Sequence, residues 1–182
     1  MDNRLWYIDD TAFQGVNLTN LRLSGNQLTH KSIEHVQFPA TLEKLSLYDN
    51  PIASIDGVRF PSSLTELDLS NTQITSIASD TFSNLANLTK LNLWDTQLTR
   101  LPLALASLIQ LEKLSISSPN LTCSCSESSL ASWYHDRTVD LDLQRKNGGR
   151  LYNYLYFDVS GKCDNTDIYY FLANLAPQCP SS

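Results

Sequence analysis

From Leu18 to Leu121 the apolar positions of the chain recur in one spacing, Leu-x-x-Leu-x-Leu-x-x-Asn-x-Leu. Leu18, Leu21, Leu23, Asn26 and Leu28 set it, and Leu42, Leu45, Leu47, Asn50 and Ile52 repeat it. Residues 64–74 keep Leu67 and Leu69 but carry Thr72 at the Asn position. Residues 88–98 keep Leu91 and Leu93 with Thr96 there, and residues 111–121 keep Leu114 and Ile116 with Pro119 there. The fourth residue of each unit falls at 21, 45, 67, 91 and 114, in steps of 24, 22, 24 and 23. Each Leu-x-Leu predicts a short strand with both leucines facing inward and the residue between them facing out, because side chains alternate along a strand. The chain must then turn, where an Asn side chain can bond backbone groups that have no ladder partner. Threonine does part of that work and proline none.

The returning segments supply the second half of the core: Phe13, Phe38, Phe60 and Phe82 recur once per unit and are expected to stack along the convex side. Five matches at this spacing resemble the leucine-rich repeat. The resemblance implies an α/β fold: a right-handed solenoid with a short parallel sheet on its concave face, each repeat stabilised by its neighbours. Asn3, Leu5, Ile8 and Phe13 align with Asn26, Leu28, Ile33 and Phe38, so the chain begins inside a repeat, just past its strand. With no cysteine cap there, hydrophobic edge surface is expected near Leu5, Ile8 and Phe13, where a second copy could dock. The expectation is that upstream residues were removed or that the chain is a fragment.

The pattern changes at residue 123, dividing repeats (1–122, the first truncated) from a C-terminal cap (123–182). All four cysteines lie in the cap, at Cys123, Cys125, Cys163 and Cys179. An even, clustered count reads as two disulfides in an oxidising compartment. Zinc is the rival, but Cys-x-Cys is tighter than the usual zinc spacing. A helix is predicted over 126–134, with serine caps, Glu127 in its first turn and Leu130, Trp133 and Tyr134 on one face. A second is predicted over 164–175, with Ile168, Phe171, Leu172 and Leu175 facing in. Cys-x-Cys, Leu-x-x-Trp and two later cysteines resemble the cysteine-rich C-terminal flank of extracellular leucine-rich-repeat proteins. Four cysteines permit three pairings; that resemblance implies Cys123–Cys163 and Cys125–Cys179. The interval between Cys125 and Cys163 is longer than such flanks usually show. Its alternating runs around Asn147-Gly148 predict a hairpin over 138–159, with Tyr152, Tyr154 and Tyr156 on one face and Arg150 near the tip.

Residues 50–70, Asn-Pro-Ile-Ala-Ser-Ile-Asp-Gly-Val-Arg-Phe-Pro-Ser-Ser-Leu-Thr-Glu-Leu-Asp-Leu-Ser, look like repeats in oomycete proteins, including receptor-kinase ectodomains. Together the resemblances imply an extracellular recognition module, part of a receptor ectodomain, with a protein, peptide or glycan ligand. The alternative is a secreted inhibitor of an extracellular hydrolase.

Charge narrows the partners. A formal net charge of -6 argues against a sequence-independent grip on nucleic acid or an anionic membrane. No window holds the roughly 18 apolar residues of a membrane span, and residues 1–10 are too polar for a signal peptide, so a leader would lie outside this chain. Neither a phosphate loop nor a metal-ligand helix pair occurs; His30 and His35 read as decoration of the convex surface, and His135-Asp136 as the polar end of the cap helix. No catalytic residue, metal or cofactor is assigned. Asn17, Asn87 and Asn120 each open an Asn-Leu-Thr sequon and are candidate glycan acceptors if the chain is secreted.

Reading the strands as rows places Asn20, Lys44, Glu66, Lys90 and Lys113 together as a self-compensating charge ladder. Taken together, that row and the outward rows beside it carry four basic residues (Arg22, Lys44, Lys90, Lys113) and four acidic ones (Asp49, Glu66, Asp68, Asp95) and read as neutral. The favoured ligand site is a notch on the concave face, walled by Tyr48 and Trp94, floored by Ser70 and edged by Asp49, Asp68, Asn92 and Asp95. The hairpin surface of Arg150, Tyr152, Tyr154 and Tyr156 is the second candidate.

Overall fold

The computed structural model describes residues 3–135, 156–159, 162–163, 166–167 and 170–175. Five strands fall where the leucine spacing puts them: β1 (Asn20–Arg22), β2 (Lys44–Ser46), β3 (Glu66–Asp68), β4 (Lys90–Leu93) and β5 (Lys113–Ile116). Each pairs in parallel with the next, and the register sets Leu21, Leu45, Leu67, Leu91 and Leu114 side by side. The inward leucines from 45 onward are buried, while Leu18 and Leu21, at the first repeat, are only partly covered. Among the described residues no strand pairs with the outer edge of β1, so these two leucines have cover from one side only.

The turn after each strand depends on the Asn position. Asn50 is buried; its Nδ2 donates to the carbonyls of Leu23, Leu47 and Tyr48, and its Oδ1 accepts from Leu28 N at 3.0 Å. Asn26 does the same one repeat earlier, accepting from Leu5 N and donating to Leu23 and Ser24 carbonyls. Thr72 donates one bond, to Leu69 O at 2.7 Å. Where Pro119 has no donor, buried Ser118 bonds Leu98 O at 2.6 Å instead.

The return path is irregular, with short 3-10 turns at His30–Ser32 and Leu103–Ser107. A turn bond recurs before each of β2–β5, from Leu42 N to Pro39 O, Leu64 N to Pro61 O, Leu88 N to Leu85 O and Leu111 N to Leu108 O. Pro39 and Pro61 therefore occupy a position used for its carbonyl, where proline is tolerated. Phe13 stacks on Phe38 at 6.3 Å, and Phe38 on Phe60 at 6.4 Å. The expected spine of four is corrected here: Phe82 is fully buried, but the ring contacts among the described residues end at Phe60.

The N-terminal edge departs from its expectation. Leu5 is exposed and Phe13 half-buried, but Ile8 is buried, and Trp6 and Tyr7 present more surface than either. Ser32 Oγ, donating to Trp6 O at 2.7 Å, ties this segment to the next repeat.

Beyond β5 the picture changes most. Tyr156–Val159 forms β6, which pairs in parallel with β5, Tyr156 opposite Lys113 and Val159 opposite Ile116. This stretch is thus a sixth strand of the solenoid sheet, against the hairpin arm predicted from its alternation; the rest of that hairpin, residues 138–155, lies outside the described residues. A helix over residues 129–135 follows a 3-10 turn at Cys125–Glu127. Buried Glu127 accepts from Ser124 N at 2.7 Å, the reciprocal half of a capping box. Leu130, Trp133 and Tyr134 are buried as the helical pattern requires. The second predicted helix begins later than the apolar pattern suggests. Lys162–Cys163 (β7) and Thr166–Asp167 (β8) pair antiparallel first. A π-helical turn at Phe171–Leu175 follows, with Phe171 and Leu172 buried. The β7–β8 pairing takes the backbone bonds that a helix starting at residue 164 would need.

Candidate functional site

The parallel register brings the outward residues of the strands into rows on the concave face. Asn20, Lys44, Glu66, Lys90 and Lys113 form one row. Lys44 Nζ donates to Glu66 Oε1 at 3.0 Å, and Lys90 Nζ donates to the same oxygen. The Lys90 bond first, and Lys44 with it, hold the Glu66 carboxyl below its usual range against the opposing pull of partial burial. The depressed folded-state pKa means the carboxylate contributes stability above its unfolded pKa and loses it as pH falls through the folded one. Glu66→Gln is expected to lower stability by less than about 1 kcal/mol, with the loss shrinking in high salt, as for exposed ion pairs. Denaturation at two salt concentrations checks this; a large, salt-independent loss would assign Glu66 a packing role instead.

The next rows are joined by a continuous polar chain. Ser24 and Ser46 hydroxyls meet at 2.9 Å, and Ser46 donates to Asp68 Oδ2 at 3.3 Å. Ser70 Oγ donates to Asp68 Oδ1 at 2.6 Å, and Asn92 Nδ2 donates to Ser70 Oγ at 3.2 Å. Ser70 is buried, whereas Tyr48 and Trp94, in register one strand to either side, are 43% and 44% exposed. Two rings thus rise beside a low polar floor whose side chains are bonded to one another. The backbone N–H of Trp94 donates to Asn92 Oδ1 at 3.1 Å, which fixes the main chain at the base of the ring.

Asp49 and Asp95 have a second duty. With Asn71 and Gly25 they occupy the left-handed region, at φ of 57°, 54°, 52° and 65°. That conformation follows each of β1–β4, and Asn, Asp and Gly tolerate it best. Asn71 Nδ2 also donates to Asp49 Oδ1 at 2.8 Å. Gly25, Asp49, Asn71 and Asp95 align at one repeat position in the sequence, so this backbone signal was present there and went unread.

The open groove over the strands encloses about 620 Å³. Tyr48, Asp68 and Asn92 line it; Asp49, Ser70, Trp94 and Asp95 stand at the strand ends beyond its lining. Its charged lining is Arg22, Lys44, Lys90 and Lys113 against Glu66 and Asp68. Of the second candidate surface, Arg150, Tyr152 and Tyr154 fall outside the described residues, and Tyr156 is placed only as the first residue of β6.

The sequons sit off the groove. Asn17, Asn87 and Asn120 are all exposed; Asn87 Nδ2 is bonded to Ser62 O and Asn120 Nδ2 to Gln97 Oε1. His30 does more than decorate: Nδ1 lies 3.1 Å from Ser54 O and Nε2 lies 2.9 Å from Glu34 Oε2, bridging two repeats. Among the described residues no three His, Cys, Asp or Glu side chains group for a metal, and no helix is long and apolar enough to cross a membrane.

Residues 62–121 and 17–38 match family models described as leucine-rich repeat. No curated protein matches the chain. Among solved structures, the chain is similar to one from the octameric complex of latrophilin 3 (Lec, Olf), Unc5D (Ig, Ig2, TSP1) and FLRT2 (LRR), at 28% identity and TM-score 0.60. That match covers 72% of this chain and 42% of the other. It is also similar to the leucine-rich-repeat domain of APL1B, at 26% identity and TM-score 0.59, over 66% of this chain and 35% of that one. A Leptospira interrogans leucine-rich-repeat protein matches at 28% identity and TM-score 0.55, over 71% of this chain and 32% of its own. The chain thus spans less than half the length of each.

Proposed function

We propose that this leucine-rich-repeat protein is an extracellular recognition module, part of a receptor ectodomain, that binds a protein, peptide or glycan partner through its concave face. The observation that carries this is the pair Tyr48 and Trp94, large rings left exposed on either side of buried Ser70 over a polar floor that is internally bonded. Exposed Trp and Tyr are the residue types that most often anchor interfaces. FLRT2, a structural relative, was solved in complex with latrophilin 3 and Unc5D, which supports a protein partner.

Screening the secreted chain against an array of extracellular domains, with Trp94→Ala and Tyr48→Ala beside it, tests the reading. A genuine partner is expected to lose affinity about ten-fold or more on Trp94→Ala, with little change in melting temperature because the ring is exposed.

The compartment is the second part of the proposal. Cys123 and Cys125 are disulfide-bonded, which supports an oxidising environment; the pairing Cys123–Cys163 and Cys125–Cys179 is proposed. Non-reducing mass mapping of secreted material is expected to find both cross-links and no thiol at Cys123 or Cys125. Free thiol at either position would remove the extracellular assignment's main support.

A further inference from the structure

The groove and the chain carry opposite charge. The chain has a net charge of -6, yet among the described residues the groove lining holds four cations against two carboxylates, an excess of two positive charges. The excess has definite places. Lys44 and Lys90 share one carboxylate oxygen of Glu66. Arg22 and Lys113, both exposed and at opposite ends of the groove, make no ion pair among the described residues. Lys113 stands directly opposite Lys90 in the parallel register, and like charges so placed are destabilising. A bound carboxylate there would relieve that repulsion.

We propose that the groove takes an extended acidic segment of a protein partner, laid across β1–β5, with one carboxylate on Lys113 and Lys90 and a second on Arg22. This rests on the concave face being the recognition surface and names the chemistry recognised there. The two basic poles are four strand spacings apart, about 20 Å at ~4.8 Å per strand, and an extended chain advances ~3.3 Å per residue. The acidic residues of the segment therefore lie about six positions apart. The middle must be neutral, because Glu66 and Asp68 occupy it. Asp68 accepts two bonds on Oδ1 and one on Oδ2, leaving a lone pair for a backbone N–H of the segment. A uniform polyanion such as a sulfated glycan would set negative charge against both carboxylates, so the protein segment is favoured.

The probes are synthetic peptides of one composition, two glutamates in a Ser/Thr/Ala background, placed six positions apart or adjacent, with a Gln-for-Glu version and a heparin hexasaccharide beside them. Dissociation constants come from backbone amide shifts of the 15N-labelled chain. The spaced peptide is expected to bind most tightly and shift the amides of β1 and β5. Lys113→Gln and Arg22→Gln should each weaken it about three-fold, and the Gln peptide about ten-fold. Melting temperatures of both variants should stay at or above that of the parent. The proposal is overturned if the adjacent-glutamate peptide or the hexasaccharide binds as well as the spaced one. It is equally overturned if Lys113→Gln leaves the affinity unchanged, or if no β1 or β5 amide moves at millimolar peptide. Partner binding that is lost in Trp94→Ala but indifferent to Lys113 would retain the concave face and discard the acidic segment.

Discussion

Asn50→Ala is expected to destabilise the protein by about 2–4 kcal/mol, far more than the removal of one ordinary hydrogen bond. The Asn50 amide is buried and serves two repeats at once, donating to Leu23 O on one side and to Leu47 O and Tyr48 O on the other. Its Oδ1 is the acceptor for Leu28 N, and a buried N–H left without a partner costs about 1–3 kcal/mol. The stranded carbonyls add to that. For a chain of this size each kcal/mol moves Tm by about 2–4 °C, so a fall of roughly 6–12 °C is expected for a loss near 3 kcal/mol. Thr72→Ala is the internal control: Thr72 makes a single bond, to Leu69 O, and its loss should cost only about 1 kcal/mol. Equal costs at the two positions would show that the ladder is not what couples the repeats.

Phe82→Ala is the other large effect. The ring is fully buried, and truncating such a residue costs about 3–5 kcal/mol through lost transfer energy and the cavity left behind. Phe13 occupies the equivalent repeat position but is only partly covered, stacking on Phe38 from the solenoid's first turn. Phe13→Ala should therefore cost much less than Phe82→Ala. Urea unfolding of the two variants gives the comparison, and a reversed order would mean that the convex spine is loaded at the N-terminal end.

The repeat strands were legible because one residue type at one spacing decides both register and face. Leu21, Leu45, Leu67, Leu91 and Leu114 cannot leave the core without exposing every repeat, so the concave rows followed without further information. The turn chemistry was legible in part. Asn26 and Asn50 were readable as backbone ligands, but the substitution of Ser118 for the missing donor at Pro119 depends on a neighbouring carbonyl, Leu98 O, that no local pattern reveals.

Other features needed the three-dimensional arrangement. Alternation over 156–159 correctly indicates a strand, but a strand's partner is a non-local choice. Docking parallel on β5 caps an otherwise open sheet edge, and the Asn-Gly signal upstream could not foresee it. The same limit applies to the charge of the site. Counting whole rows gave a neutral face, whereas Asp49 and Asp95 stand in left-handed turns outside the groove lining and leave it basic. Trp6 and Tyr7 lie between the core positions Leu5 and Ile8 of the first turn, where the repeat spacing puts no constraint on the residue type.

The central claim is that the concave face is where this protein recognises its partner. The most direct measurement is the affinity of a partner found in the extracellular-domain screen for three forms of the chain: the parent, Trp94→Ala, and a convex-side control such as Gln37→Ala, whose side chain is exposed. Recognition through the concave face predicts a loss of about ten-fold or more for Trp94→Ala and no change for Gln37→Ala. Loss confined to the convex variant, with Trp94→Ala binding like the parent, would contradict it.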